Sequence, residues 1–195
     1  LKGEDMDFLL TLKDLNRMDL TELIKVYWKD PVTTYDDRKL EKQIEQFAPA
    51  ARERGYLEQH EFYDVITWKL RSGKWGCGNI DTAKSNSTEK VKNVTQLAFS
   101  KEDRQQAIDE LQELDGVDFI VATAILHFFR HDTPVYDKRL AESLIKEPPV
   151  SPKPDEYKEF AEHVIRGADI QGMTLRNFDR AIFARNAIAT RRKTP

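Results

Sequence analysis

Apolar side chains recur at helical spacing along almost the whole of this chain, and no run alternates apolar and polar with period two between turn signals. Leu20, Leu23, Ile24, Tyr27 and Trp28 share one face, and Leu40, Ile44, Phe47, Ala48 and Ala51 a second. Phe62, Val65, Ile66 and Leu70 form a third; Ala107, Ile108, Leu111 and Leu114 form a fourth. Tyr157, Phe160, Ala161, Val164 and Ile165 make another, and Leu175, Phe178 and Ile182 open the last. The pattern predicts an all-α fold. At 195 residues the chain can bury a sizeable core, as a single domain over 1–195 or as two closely packed lobes.

Breaks in the periodicity set the element boundaries. Ser100 with Asp103 predicts a capping pair for the helix that runs to Leu114, and Thr174 a cap for the last helix. Residues Ser72 to Lys90, with Gly73, Trp75, Gly76 and Gly78, read as a long exposed loop. Lys146 to Pro154, with Pro148, Pro149, Pro152 and Pro154, reads as an extended connector. The single cysteine, Cys77, excludes an internal disulfide framework, a zinc ribbon and a four-cysteine iron–sulfur cluster. No His/Asp/Glu cluster has metal-ligand spacing, so neither a metal nor a cofactor is expected. The longest apolar stretch, Phe119 to Phe129, is interrupted by His127 and falls far short of a bilayer span of ~20 residues. The opening residues are polar and acidic, without a signal-peptide pattern. An intracellular, cytoplasmic protein with no membrane association is expected.

Total charge is uninformative, but its distribution is not. The chain carries 31 Lys+Arg against 34 Asp+Glu, a net charge of −3. From Lys69 to Lys101 there are seven basic residues (Lys69, Arg71, Lys74, Lys84, Lys90, Lys92, Lys101) against Asp81 and Glu89. The tail from Arg176 carries Arg180, Arg185, Arg191, Arg192 and Lys193 as well, against Asp179, whereas the first fifty residues hold eleven acids to eight bases. Such segregation suits a protein that meets phosphate on one face, and it equally suits ordinary solvated helix faces.

Residues Glu102 to Leu144 carry the most information. An amphipathic helix ends in Leu114-Asp115-Gly116-Val117-Asp118, and a second begins at once with Phe119-Ile120-Val121-Ala122-Thr123-Ala124-Ile125-Leu126. The second is apolar nearly all round and is expected at the centre of the core. Two helices joined by a tight turn of this form make a helix-hairpin-helix over about 102–130, whose turn presents backbone N–H groups to a phosphate oxygen. The chain then continues Thr133-Pro134-Val135-Tyr136-Asp137-Lys138-Arg139.

These residues resemble the helix-hairpin-helix DNA glycosylase superfamily, the group of endonuclease III, MutY and AlkA. The resemblance rests on Leu114 to Asp118, on Ala122 and Ala124, and on Pro134-Val135-Tyr136-Asp137, with looser agreement over Phe62 to Phe99 and the closing helices. It implies a bundle of roughly eight to ten helices in two lobes. It also implies a hairpin that grips the DNA backbone through Gly116, Val117 and Asp118, and a catalytic aspartate at Asp137. Three positions depart from the family. Ile120 stands where bifunctional members place a lysine, which excludes a Schiff-base nucleophile there. Asp118 replaces the second hairpin glycine, and Cys77 stands without cluster partners.

The expected function is that of a monofunctional DNA N-glycosylase. It would flip a modified or damaged base out of double-stranded DNA and cleave the N-glycosidic bond, leaving an abasic site, as a monomer and without an associated lyase. Asp137 would stabilise oxocarbenium character on the sugar or deprotonate a water, although capping the helix that starts at Lys138 is the alternative role. Trp68, Lys69 and Tyr136 are the candidate base-pocket residues; Arg71, Lys84, Lys90, Lys92, Lys138 and Arg139 are the candidate phosphate contacts. His127 reads as a core histidine. The alternatives are a non-catalytic DNA- or RNA-binding module on the same scaffold and a helical protein–protein adaptor.

Overall fold

The computed structural model describes residues 8–11, 13–14, 19–29, 33–71 and 76–191. Among them the fold is all-α: ten helices and no sheet, with one isolated antiparallel bridge between Phe8 and Ile145. No helix among the described residues is long and apolar enough to cross a membrane. The chain divides into two compact units: Tyr35–Thr133 forms one, and Leu1–Thr34 with Pro134–Pro195 forms the other. The inner unit is therefore inserted into the sequence of the outer.

Helix α1 (Leu20–Tyr27) belongs to the outer unit; α2 (Tyr35–Arg54), α3 (Gln59–Leu70), α4 (Gly76–Lys84), α5 (Thr88–Ser100), α6 (Arg104–Leu111) and α7 (Phe119–Phe129) build the inner one. Every residue of α7 from Val121 to Phe129 is buried. It packs against α2, α3 and α6, as the absence of a polar face on its sequence requires. Ile44, Leu57, Phe62, Val65, Ile66, Ile108 and Leu111 close the core around it.

Two expectations need correction here. Residues 72–90 are not one exposed loop: α4 occupies Gly76–Lys84, and Thr88 already opens α5. Low glycine propensity is overridden by packing, because α4 lies on α3 and its last carbonyls are satisfied locally. Ser85 N–H and its hydroxyl donate to the Thr82 carbonyl at 3.1 and 2.6 Å, and the Asn86 amide donates to the Ala83 carbonyl at 2.8 Å. Gly73 and Trp75 lie outside the described residues. Nor do Ser100 and Asp103 cap α6 together. Asp103 does so alone, accepting from Gln106 N at 2.9 Å, while the Ser100 hydroxyl turns back to the Leu97 carbonyl at 2.7 Å. A hydroxyl that can satisfy an orphan carbonyl in its own last turn has no need to reach forward.

The outer unit holds α1, α8 (Lys138–Leu144), α9 (Pro154–Ile170) and α10 (Leu175–Arg191). Helix α10 packs on α1, α8 and α9. Thr174 caps it as expected, accepting from Asn177 N at 3.2 Å. The proline-rich connector ends where Pro154 opens α9, its fixed φ suiting the first turn. Near the beginning of the described chain, Leu9 N donates to the Leu144 carbonyl at 2.7 Å. Beside it the Phe8 ring stacks on His163 at 3.8 Å, and His163 Nε2–H donates to the Leu10 carbonyl at 2.8 Å.

Candidate functional site

The hairpin joins α6 to α7 through a turn that only glycine can complete. Gly116 has φ +78°, and a Cβ there would stand 2.6 Å from the Asn79 carbonyl oxygen and 2.8 Å from the Ala83 nitrogen. The turn is therefore pressed against the backbone of α4, and positive φ and close approach demand the same residue. Val117 N closes it onto the Leu114 carbonyl at 3.1 Å. The buried side chain of Asn86 brackets the preceding residue: its Oδ1 accepts from Asp115 N at 3.0 Å and its Nδ2 donates to the Asp115 carbonyl at 2.8 Å. At the open end, Arg130 donates to the Lys101 and Glu102 carbonyls at 2.8 and 2.9 Å and pairs with Asp132. Burial would raise the Asp132 carboxyl, but hydrogen bonding and charge from Arg130, with help from Thr133 and Arg104, hold it below its usual range. The tip of the hairpin is thus fastened to α4 and Asn86, while Arg130 ties its two arms together at the open end.

Asp118 caps α7, its Oδ1 accepting from Val121 N at 2.8 Å. A carboxylate therefore already occupies part of the helix N-terminus that the family resemblance gives to a phosphate. The N–H groups of Gly116, Asp118 and Ile120 take no acceptor among the described residues. Ile120 is half-buried and offers no amine.

Asp137 lies in the outer unit, at the end of a buried extended strut. Thr133, Pro134, Val135 and Tyr136 are buried, and Asp137 is the first residue to emerge. Two phenols fix the strut: Tyr157 donates to the Pro134 carbonyl at 2.7 Å, and Tyr136 donates to the Pro149 carbonyl at 2.7 Å. Edge-on ring contacts of Tyr136 with Phe160 and Tyr157, at 5.0 and 6.3 Å, complete the clasp. Asp137 Oδ1 accepts from Arg139 N at 2.9 Å, so it is the N-cap of α8. Capping holds the carboxylate in one orientation while leaving it partly exposed.

The candidate base-pocket residues are not gathered in one unit. Trp68 and Lys69 sit at the end of α3 in the inner unit, where the Trp68 ring meets Phe128 edge-on at 5.0 Å. Tyr136 is 2% exposed, and burial, with the Glu156 carboxylate adding to it, pushes its phenol up to about 12. It acts as a neutral core donor, and a stacking role for it would need the core to open. His127 is buried as expected, its Nδ1–H donating to the Thr133 carbonyl at 2.9 Å.

Each basic candidate with a described ion pair meets a carboxylate of its own unit. Arg71 pairs with Asp36 at 2.6 Å, Lys84 with Asp81 at 4.0 Å, Lys90 with Asp115 at 2.9 Å and Lys138 with Glu142 at 3.7 Å. Lys92 lies over the Tyr56 ring at 4.7 Å and Arg139 over Phe183 at 5.0 Å. In the tail, Arg176 pairs with Asp179, and Arg180 is buried over Trp28 at 4.6 Å. Those two cations serve the packing of α10 on α1. The Arg191 side chain, Arg192 and Lys193 lie outside the described residues.

Asn86 and Tyr157 are the residues that sequence reasoning did not single out. The run Ser85-Asn86-Ser87-Thr88 is the available signal for Asn86, since small polar residues cluster where one helix ends and another is capped. Tyr157 gives no such signal, because an apolar stripe does not say which ring must hydrogen-bond. The chain matches no family model, no curated protein and no solved structure.

Proposed function

We propose that this chain is a monofunctional DNA N-glycosylase on a helix-hairpin-helix glycosylase-like bundle, acting as a monomer on double-stranded DNA that carries a modified or damaged base. The observation that carries the reading is Asp137, a carboxylate oriented by Arg139 N and set at the mouth of a buried strut directly downstream of the hairpin. Cleaving an N-glycosidic bond builds positive charge on the sugar, and a fixed, charged carboxylate stabilises it or takes a proton from water. The hairpin supports the other half of the reading, with Gly116 and Asp118 N–H groups available to a phosphate. Ile120 directs the chemistry to hydrolysis, and the product is an abasic site rather than a nicked strand.

A second reading, a non-catalytic nucleic-acid-binding module, is favoured by the same structure in one respect. Tyr136 is buried and spends its hydroxyl on Pro149, so its ring does not stand open as a platform for an extruded base, and the half-buried Trp68 ring packs edge-on against Phe128. One experiment separates the two. A panel of duplexes, each carrying one lesion or modification, is incubated with the protein and treated with alkali to reveal abasic sites. Alkali-dependent cleavage of at least one duplex supports the glycosylase. Salt-sensitive duplex binding with no base release on any member replaces it with the binding module.

A further inference from the structure

The tip of the hairpin carries an ion pair that its own turn does not need. Asp115 is held through its backbone, by Asn86 at both N–H and carbonyl, and the next residues are fixed by the Val117–Leu114 bond and by the packing of Gly116 on α4. Its carboxylate reaches outward instead, to Lys90 Nζ at 2.9 Å. On the other side, the Lys90 backbone N–H is taken by the Ser87 cap, and its ammonium has Asp115 as its described partner. The two side chains are 38% and 54% exposed, so the pair is solvated and readily exchanged.

A carboxylate oxygen on a lysine ammonium is the same contact that a phosphate oxygen would make there, with the same charge sign and a similar distance. Lys90 stands beside the residue that precedes Gly116, so its ammonium lies where the hairpin would meet a DNA backbone. With Asp118 capping α7 three residues further on, the hairpin turn itself carries two carboxylates, which disfavour a phosphate there. We infer that Asp115 is an internal phosphate surrogate on Lys90, which duplex DNA must displace, and that it holds the affinity of the hairpin for DNA below what the scaffold could reach. This inference rests on the reading of the hairpin as a DNA contact. Its consequence is kinetic as well: a hairpin that releases phosphate easily lets a protein leave undamaged DNA quickly and keep searching.

The test is fluorescence-anisotropy titration of a labelled duplex over a salt series, with the wild type, Asp115→Asn, Asp115→Ser and the Lys90→Gln/Asp115→Asn double variant. Both single variants should bind roughly three- to tenfold more tightly, with the slope of log affinity on log salt steeper by about 0.9, one further phosphate contact. The double variant should lose that gain. Their melting temperatures should stay near wild type, because the Asn86 bonds go to the backbone of residue 115. If the wild type binds duplex and both single variants match it in affinity and slope, or bind more weakly, the surrogate role is overturned while the DNA reading stands. If no form binds duplex at low salt, the DNA reading falls and takes this inference with it.

Discussion

A helix cap needs an oxygen that accepts an N–H, whereas stabilising a sugar cation needs a full negative charge. Asp137 supplies the first to Arg139 N; in the proposed function it also supplies the second, and an asparagine in its place would supply only the first. Asp137→Asn should therefore fold normally, since Asn and Asp are near-equal caps, and should bind DNA like the wild type. Base release should fall by two or more orders of magnitude, about 3 kcal/mol of transition-state stabilisation, measured by single-turnover alkali assay. Retained activity would assign Asp137 to capping alone. Gly116 makes an opposite kind of demand, on shape rather than charge. Gly116→Ala would put a Cβ 2.6 Å from a carbonyl oxygen at a positive φ, and neither neighbour is a side chain able to turn aside. Adding left-handed strain to overpacking gives an expected loss of roughly 2–4 kcal/mol in urea unfolding. A loss under about half a kilocalorie would mean that the turn relaxes without resistance.

At the scale of elements, legibility followed the reach of the interactions involved. The all-apolar run of α7 could be read directly, because burial on every side leaves a local signature in composition. So could the hairpin, whose Gly-Val turn is a local motif. Helix α4 could not: its glycines speak for a loop, and what overrules them is contact with α3 and capping by Asn86, neither of which is visible in nine residues taken alone. The candidate site split the same way. The capping place of Asp137 before a helix at Lys138 was readable from the sequence, while the buried state of Tyr136 depends on Tyr157 and Phe160, which lie beyond the connector. The junction of Phe8 and Leu10 with α9 is another long-range element and carries a pH dependence. Burial, with Arg166 nearby, lowers the pKa of His163 despite the opposing bond to Leu10. A folded-state value below the unfolded one means that the neutral ring is favoured in the fold. That stability is fully present above the unfolded value and is lost as pH falls towards the folded one. Urea-unfolding stability should thus decline on going from about pH 7 to about pH 5, and His163→Gln, which keeps a donor, should flatten that slope. An unchanged slope would locate the dependence elsewhere.

For the molecule as a whole, the decisive feature is that residues 35–133 are inserted between the two halves of the outer unit. A ribosome releases the chain in order, so the inner unit has all its helices while the outer still lacks α8, α9 and α10. Nascent chains stalled just after residue 133 has cleared the exit tunnel should yield a protease-resistant fragment close to 35–133. Digestion throughout that segment would show that the inner unit cannot hold itself together. During this interval α1 waits, since the helix it packs against, α10, comes last. On the proposed glycosylase reading, the order also separates the two parts of the site in time. The hairpin matures first, and the carboxylate at 137 arrives with the second half of the outer unit. If the glycosylase proposal holds, a message cut short after the codon for residue 133 would therefore produce a chain that keeps the duplex-binding hairpin and lacks the proposed catalytic carboxylate.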